Sequence, residues 1–325
     1  MLNILLSGSG SGGHIYPCLA LYNYLKNKYN VKILIFKEID KKIYDMNNVK
    51  YIYIDDNYST LKKLNLINKT IKNNNINKVI TFGGKNSFYI NIISKKLHID
   101  SFIFESNAII GKANKMSYLL VNKVFTNFKL NLKKEINVGN PNAFSLTNKK
   151  VKLFNNKKIT ILITLGSLGS SSVSKVIEKL LTSNDDFNFI FVIGNNVKLK
   201  KTIKKNNVKV YQYYNNLKEL INSVDIVIAR AGAATLSEIV AYNKPSIIIP
   251  SPYVANNHQL KNAKYLLNRH CIILIEEKDL TLTKLNNQLT KLALNKDLYE
   301  NIKSNLIKNS FGNNFKIIED EIIKW

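Results

Sequence analysis

Three short stretches of the chain put small residues where a strand hands over to a helix, an arrangement that lets backbone amides approach a phosphate. The first is Gly8-Ser9-Gly10-Ser11-Gly12-Gly13, where Gly8, Gly10 and Gly13 satisfy G-x-G-x-x-G and Glu38 follows near the end of the next apolar run. Such glycines permit close backbone approach, and a helix N-terminus favours negative charge. Taken alone, the pattern fits a dinucleotide, another phosphorylated ligand, or a tight turn that needs small residues. The second stretch is Gly166-Ser167-Leu168-Gly169. The third is Ala233-Ala234-Thr235, directly after the apolar run Asp225–Ala229, where tight packing is again the alternative. No Asp-x-Asp pair occurs anywhere in the chain. A divalent ion held on a diphosphate by that pair is therefore not expected; amides and helix dipoles would have to take its place.

Each loop needs a strand before it and a helix after it, and the apolar pattern supplies both. Residues 3–8 form an apolar run, and a helical pattern extends from His14 to about Tyr29. The same order returns about 155 residues later as Ile159–Thr164, the Gly166–Gly169 loop and helical spacing over Ser172–Leu181. A strand feeding a glycine loop and a helix opens a βαβ unit, so its recurrence predicts two α/β domains in tandem. Further strand candidates in the first half are Val31–Phe36, Lys50–Ile54, Val79–Phe82, Ser101–Glu105 and Lys123–Thr126. The second half offers Asn188–Ile193, Val208–Tyr211, Asp225–Ala229, Ser246–Pro250 and Cys271–Ile275. These runs lack strict alternation, which suits strands buried on both faces of a parallel sheet. The turn Gly139-Asn140-Pro141 and the lysine- and asparagine-rich stretch to Lys157 read as the linker. Phe315–Trp325 reads as an amphipathic helix with Ile317, Ile318, Ile322 and Ile323 on its apolar side, able to pack on either domain.

A chain of 325 residues is too long for one comfortable core, and a hydrophobic fraction of 45% argues against disorder. The 48 basic and 22 acidic residues leave a net charge of +26, which attracts polyanions of any kind. The lysines are spread along the chain, so a solvated surface enriched in lysine by base composition is the plain alternative. Cys18 and Cys271 form neither a CxxC pair nor a zinc spacing with the four histidines, which fits a reduced compartment. The opening Met1-Leu2-Asn3-Ile4-Leu5-Leu6 has no basic region and reads as a strand rather than a signal peptide. No apolar run approaches the roughly 18 residues that span a bilayer, so any membrane contact is peripheral.

Seven segments in order resemble the MurG family of N-acetylglucosaminyltransferases, which convert lipid I to lipid II. They are Ser11-Gly12-Gly13-His14-Ile15-Tyr16-Pro17; Phe82-Gly83-Gly84 with Ser87; Glu105-Ser106-Asn107-Ala108 with Gly111 and Asn114; Gly139-Asn140-Pro141; Leu165-Gly166-Ser167-Leu168-Gly169; Arg230 to Glu238; and Pro250-Ser251-Pro252-Tyr253 followed by Asn256-Asn257-His258-Gln259 and Asn262-Ala263. The resemblance implies two Rossmann-like domains facing a cleft, the GT-B architecture. It places an acceptor- and membrane-side domain at 1–145, a UDP-sugar domain at 155–311, and a final helix, about 312–325, packed back on the first. It implies inverting transfer of N-acetylglucosamine from UDP-N-acetylglucosamine to the C4 hydroxyl of undecaprenyl-linked muramyl pentapeptide, without a cofactor or metal. The partners are then the nucleotide sugar, lipid I and an anionic membrane surface on the cytoplasmic face, with no nucleic acid.

The resemblance also implies roles. On the donor side, Ala233, Ala234 and Thr235 hold the diphosphate through their amides, Ser167 contacts phosphate, and Glu238 accepts hydrogen bonds from both ribose hydroxyls. Gln259 reads the sugar hydroxyls, and Tyr214 lies where a backbone pairs with uracil, although the aromatic run Tyr211–Tyr214 equally suits packing at a strand end. On the acceptor side, Ser11, Gly12 and Gly13 face the substrate's diphosphate, and Asn107 touches the transferred sugar. His14 is the leading general base, since its unperturbed pKa lies near working pH; bonding a neighbouring loop is its alternative. Glu105 is a second candidate. Leu61–Ile71, with Leu61, Leu64, Leu66, Ile67 and Ile71 among Lys62, Lys63 and Lys69, reads either as a basic amphipathic helix docking on lipid or as a core helix with a lysine-rich outer face.

The chain departs from the family pattern in three respects: Asn142 and Ala143 stand where an arginine follows the Gly-Asn-Pro turn, Phe104 replaces a histidine, and Lys85 replaces an aromatic residue. The rival readings are a transferase acting on another lipid, a UDP-N-acetylglucosamine epimerase needing no lipid acceptor, a dinucleotide-dependent oxidoreductase, and a nucleic-acid binder suggested by the charge. Against the last, the aromatics sit within apolar runs and no nucleic-acid motif occurs. The missing Asp-x-Asp pair predicts transfer that survives a chelator; complete loss of activity in EDTA would overturn this.

Overall fold

The computed structural model describes residues 2–10, 12–199 and 202–324. The chain divides into two compact units, Met1–Ser145 with Phe311–Trp325, and Leu146–Ser310. In the first, β1 (Asn3–Ser7), α1 (Gly12–Leu25), β2 (Asn30–Ile35), α2 (Glu38–Met46), β3 (Ile52–Tyr53) and α3 (Thr60–Asn73) come first. They are followed by β4 (Lys78–Thr81), α4 (Lys85–Lys96), β5 (Asp100–Glu105), α5 (Lys112–Ser117), β6 (Lys123–Thr126) and β7 (Glu135–Asn137). Among the described residues these strands form one sheet in the order β3-β2-β1-β4-β5-β6-β7, every pairing parallel.

The second unit runs β8 (Thr160–Thr164), α6 (Ser171–Ser183), β9 (Asn188–Val192), β10 (Val208–Tyr211), α7 (Leu217–Ser223), β11 (Ile226–Ala229) and α8 (Ala233–Ala241). It continues with β12 (Ser246–Ile248), α9 (His258–Leu267), β13 (Ile273–Leu274), α10 (Leu282–Leu294) and α11 (Lys296–Lys308). Its described strands form a parallel sheet in the order β10-β9-β8-β11-β12-β13. Helices cover both faces of such sheets, so the strands must be apolar throughout. Ile4, Leu5 and Leu6, like Ile161, Leu162 and Ile163, are accordingly sealed from solvent.

Two elements differ from the sequence reading. β7 escaped it because its only apolar residue is Ile136. Polar bonds build this edge strand: the Glu135 carboxylate accepts from Thr126 Oγ1 (2.5 Å), Leu130 N (2.7 Å) and Leu132 N (3.0 Å). The second is α3, whose apolar side is committed to the core and so cannot serve as the lipid-docking face. Ile67 and Ile71 are buried, Leu64 and Leu66 pack against the same cluster, and of the apolar set only Leu61 is exposed. Lys63 is buried as well, paired with Asp56 at 3.1 Å.

The stretch expected to link the domains changes allegiance within itself. The Asn140 side chain caps the short 3-10 turn Pro141–Ala143 in the first unit. Thr147 N then donates to Tyr242 Oη (2.7 Å) and Val151 N to Ser223 Oγ (2.7 Å), both in the second.

The terminal helix α12 (Phe315–Lys324) buries Phe315, Ile318 and Ile322 in the first unit's core, with Phe315 stacked on Tyr24 at 4.6 Å. Burying each such side chain contributes roughly 1.5–3 kcal/mol, so apolar contact dominates the docking. Glu319 fixes its register, because its nearly buried carboxylate accepts from Tyr24 Oη (2.6 Å), Tyr29 Oη (2.8 Å) and Lys28 Nζ (2.9 Å). Burial alone would raise its pKa, but the bonds from Tyr24, Lys28 and Tyr29 outweigh that and lower it to about 2. A carboxyl depressed in the folded state contributes stability that is complete above its unfolded pKa and lost as pH falls through the folded one. Glu319→Gln should therefore cost about 1–3 kcal/mol at neutral pH. In denaturant titrations the gap from wild type should stay constant above pH 4.5 and close as pH falls toward 2. A gap independent of pH would refute the charge-based clamp.

Candidate active site

In a doubly wound sheet the strand order reverses at one point, and the loops leaving the carboxyl ends there splay apart to leave a crevice. The reversals fall between β1 and β4 in the first unit and between β8 and β11 in the second. Gly12, Gly13 and His14 open the helix after β1, Ser167 lies on the loop after β8, and Ala233, Ala234, Thr235 and Glu238 lie in the helix after β11. Glu105, in contrast, ends β5, and Asn107, Tyr214 and Gln259 follow β5, β10 and β12.

In the first unit, the loop after β1 is held from below by α2. Asp40, buried in the first turn of α2, accepts from the Ser9 hydroxyl and from Gly10 N (3.1 Å), while Tyr44 Oη donates to Gly8 O (2.6 Å). Gly10 adopts φ +97°, a conformation that favours glycine. Ser11 lies outside the described residues. α1 begins at Gly12, two residues ahead of His14. His14 Nδ1 lies 3.2 Å from Ser9 O. A carbonyl oxygen can only accept, so this contact calls for the proton of a neutral ring to sit on Nδ1. The ring is wedged against the loop after β4: a Cβ on Gly83 would stand 2.8 Å from Nε2.

Pro17 brings the third loop of this unit into place. Having no N–H, it cannot donate to the Gly13 carbonyl one turn back in α1. The Ser106 hydroxyl donates to that carbonyl instead (2.9 Å), which draws the loop after β5 onto the start of α1. Within this loop the buried Glu105 carboxylate accepts from Asn107 N (3.0 Å), Asn107 Nδ2 (3.3 Å), Gly111 N (2.7 Å) and Asn114 Nδ2 (2.8 Å). Four donors occupy its lone pairs. The geometry makes Glu105 the organiser of the loop that presents Asn107 and runs against its use as a base.

In the second unit, Ser167 sits exposed on the loop after β8, whose backbone is supported by Asn195 N donating to Ser167 O (2.8 Å). Gly194 must be glycine there, since a Cβ would stand 2.4 Å from Gly169 N. Ala233, Ala234 and Thr235 form the first turn of α8, where amides lack helical partners and the dipole favours an anion. Glu238 is buried on the next turn. Lys218 on α7 lies within its electrostatic reach; burial lowers the ammonium pKa, and Glu238 pulls it back up. Tyr214 packs edge-on against Tyr211 at 5.3 Å. Gln259 accepts from Ser251 N through Oε1 (2.8 Å), which folds the 251–259 loop onto the start of α9.

Asp40, Ser106 and the buried pair Arg230–Glu277, at 2.6 Å, are the supports that sequence reasoning missed as such. Only Pro17, a proline inside a helical pattern, signalled one of them. Among the described residues no group of three or more His, Cys, Asp or Glu side chains is placed to hold a metal. Burial pushes the thiols of Cys18 and Cys271 up to about 12 and 11, so neither is primed as a nucleophile.

The glycosyltransferase family 28 N-terminal domain matches residues 4–126, and the family 28 C-terminal domain matches residues 160–321. A UDP-N-acetylglucosamine–N-acetylmuramyl-(pentapeptide) pyrophosphoryl-undecaprenol N-acetylglucosamine transferase of Caldicellulosiruptor saccharolyticus is 33% identical, over 92% of this chain and 91% of its own. A protein of the same name from Sulfurihydrogenibium sp. is 32% identical over 98% of both chains. The crystal structure of Acinetobacter baumannii MurG superposes with a TM-score of 0.83 at 20% identity, covering both chains entirely, which speaks to the fold.

The contact between His14 and Gly83 predicts the behaviour of the ring. Wild type should show the Nδ1–H tautomer in long-range 1H–15N spectra, and Gly83→Ala should abolish that single pattern by displacing the imidazole. An unchanged His14 spectrum in the variant would refute the wedge.

Proposed function

This chain belongs to glycosyltransferase family 28, and we propose that it transfers N-acetylglucosamine from UDP-N-acetylglucosamine to the C4 hydroxyl of undecaprenyl-pyrophosphoryl-N-acetylmuramyl pentapeptide, the step that makes lipid II for peptidoglycan. Near full-length likeness to relatives that carry this transferase's name is the observation that supports it most. The placement of Gly12, Gly13 and His14 after β1, of Ser167 after β8 and of Ala233, Ala234 and Thr235 after β11, beside the switch point of each sheet, adds to it.

The chemistry is a single displacement with inversion. As the C4 oxygen attacks the anomeric carbon, the bond to the β-phosphate oxygen breaks and its electrons pass to uridine diphosphate. Charge therefore grows on the diphosphate, and donors already aimed at it lower the barrier. The amides of Ala233, Ala234 and Thr235, with Ser167, are the donors we assign to it. Glu238 takes the ribose hydroxyls, Gln259 the sugar hydroxyls, and the backbone at Tyr214 the uracil. On the first unit, Gly12 and Gly13, with Ser11, receive the acceptor's diphosphate, and Asn107 meets the transferred sugar. His14 Nε2 takes the C4 hydroxyl proton, its Nδ1–H held on Ser9 O. Glu105 is a positioning residue, its carboxylate being filled by its own loop.

The acceptor's polyprenyl tail stays in the bilayer, so the enzyme has to work at the cytoplasmic membrane surface. Among the described residues no helix is long and apolar enough to cross a membrane. Attraction between the +26 chain and anionic headgroups, aided by exposed Leu119 on the first unit, fits peripheral attachment.

The test is transfer of labelled N-acetylglucosamine to a short-chain lipid I analogue. His14→Ala should lower kcat by about 10²–10⁴-fold. Glu238→Ala should raise the donor KM by about tenfold or more, as expected when a buried hydrogen-bonding partner is lost. With acceptor embedded in anionic vesicles, added salt should slow transfer more than it does for the soluble analogue. Donor binding without transfer to any muramyl lipid would sink the acceptor assignment.

A further inference from the structure

Only two of the 48 basic residues are arginine, Arg230 and Arg269. In a chain so biased toward lysine, a position that uses the planar guanidinium fork is informative, because lysine cannot reproduce its geometry. Arg269 lays its guanidinium over the Tyr265 ring at 3.6 Å. Arg230 is buried, and it is not among the residues to which the proposed reaction gives a role.

Arg230 stands just beyond β11, and its side chain reaches three other strand ends. Its Nη2 lies 2.6 Å from Glu277 Oε2 and donates to Ser170 Oγ at 2.6 Å, while Nη1 donates to Ile249 O at 3.1 Å. Glu277 in turn accepts from Ser172 Oγ at 2.5 Å through Oε1. Ser170 leads into α6 after β8, Ile249 follows β12 and Glu277 follows β13. One guanidinium thus ties together the carboxyl ends of β8, β11, β12 and β13, which are adjacent in that order in the sheet.

The loops it ties are those that carry the donor-side groups. Ser170 is three residues from Ser167, Arg230 three from Ala233, and Ile249 leads into the loop that Gln259 closes. We infer that Arg230 and Glu277 form a brace that sets the spacing between the Ser167 loop and the N-terminus of α8, and so fixes the width of the diphosphate cradle. Both are positioning residues, acting through the loops they join. The inference rests on the assignment of the second unit to the UDP sugar. Its physical basis is that a nearly buried carboxylate and a buried guanidinium, each with further hydrogen-bonded partners, permit one loop arrangement, whereas an apolar pair filling the same volume restores packing without directional contacts.

The test uses the full chain with Glu277→Gln, Arg230→Lys and the double variant Arg230→Met/Glu277→Leu. In both single variants, amide hydrogen exchange should accelerate together over 166–170 and 231–235 while the β1–α1 loop of the first unit is unaffected. Calorimetry should show uridine diphosphate binding weakened about tenfold to a hundredfold, the scale expected when reacting groups are slightly misplaced. Donor KM should rise in parallel, with acceptor KM unchanged. The double variant should regain the wild-type melting temperature but not nucleotide affinity, which separates positioning from plain stability. Recovery of both in the double variant, or unchanged exchange in the two loops of the single variants, overturns the brace. If wild type itself fails to bind uridine diphosphate, the donor assignment is what fails, and the exchange result still decides whether the brace exists.

Discussion

Parallel strand pairing is the constraint from which the rest of this molecule follows. A parallel neighbour can be reached only by crossing back over the sheet, so most of the described strands are followed by a helix and the βα loops emerge at the same edge. Both sheets are buried on two faces, which is why their strands are runs such as Ile161-Leu162-Ile163 rather than alternating patterns. Strand interiors therefore leave little room for polar groups, which gather at the carboxyl-end loops and on the helices. The reversal of strand order then separates two of those loops in each unit, β1 from β4 and β8 from β11, and leaves room for a ligand.

Within that frame, the loops are held by buried polar groups, because an exposed loop has little apolar surface of its own to bury. Asp40 grips Ser9 and Gly10, Glu105 takes four bonds from its own loop, and Arg230 joins four strand ends. Each buried charge is compensated by named partners, which is the condition under which such groups are tolerated. The same logic places Glu319 beneath Tyr24, Tyr29 and Lys28, where it sets the register of α12 while Phe315, Ile318 and Ile322 supply most of the attraction.

Twelve of the thirteen described strands were legible as continuous β-branched and aromatic runs, which burial on both faces writes into the central ones. β7 was not, since an edge strand held by Glu135 has no such signature. The glycine loops were legible for a related reason: Gly10, Gly83, Gly166 and Gly169 all take φ near +80° to +100°, which restricts the residue type. The supports were harder to see. Asp40 lies 31 residues from Ser9, and Glu277 lies 47 from Arg230. An acidic residue on a lysine-rich surface looks the same in sequence whether it is solvated or buried as a brace. Leu61–Ile71 shows the converse difficulty, because an amphipathic pattern states that one face is apolar but not whether protein or lipid covers it. Contact with Ile54, Val79 and Ile90 settles that the core does.

Charge links these observations to the chemistry. A transferase without a metal-holding acidic pair has to stabilise its leaving group with groups fixed before the reaction begins, since reorganising dipoles during bond cleavage would forfeit the advantage. A lysine-rich surface supplies a long-range field that draws anionic substrates toward the protein, yet screening at physiological salt reduces it to a weak contributor beyond about 8 Å. In the proposed reaction, close-range stabilisation falls to backbone amides at the start of α8, whose directions are set by the fold and which cannot titrate. Their weakness is that they are only as well aimed as the loop that bears them. A lysine ammonium is a compact, strongly hydrated charge on a flexible stem, and substitutes poorly for that aim. A single rigid guanidinium behind the loop can supply it without touching the substrate, which is a physical reason for arginine to persist at position 230 in a chain that otherwise favours lysine.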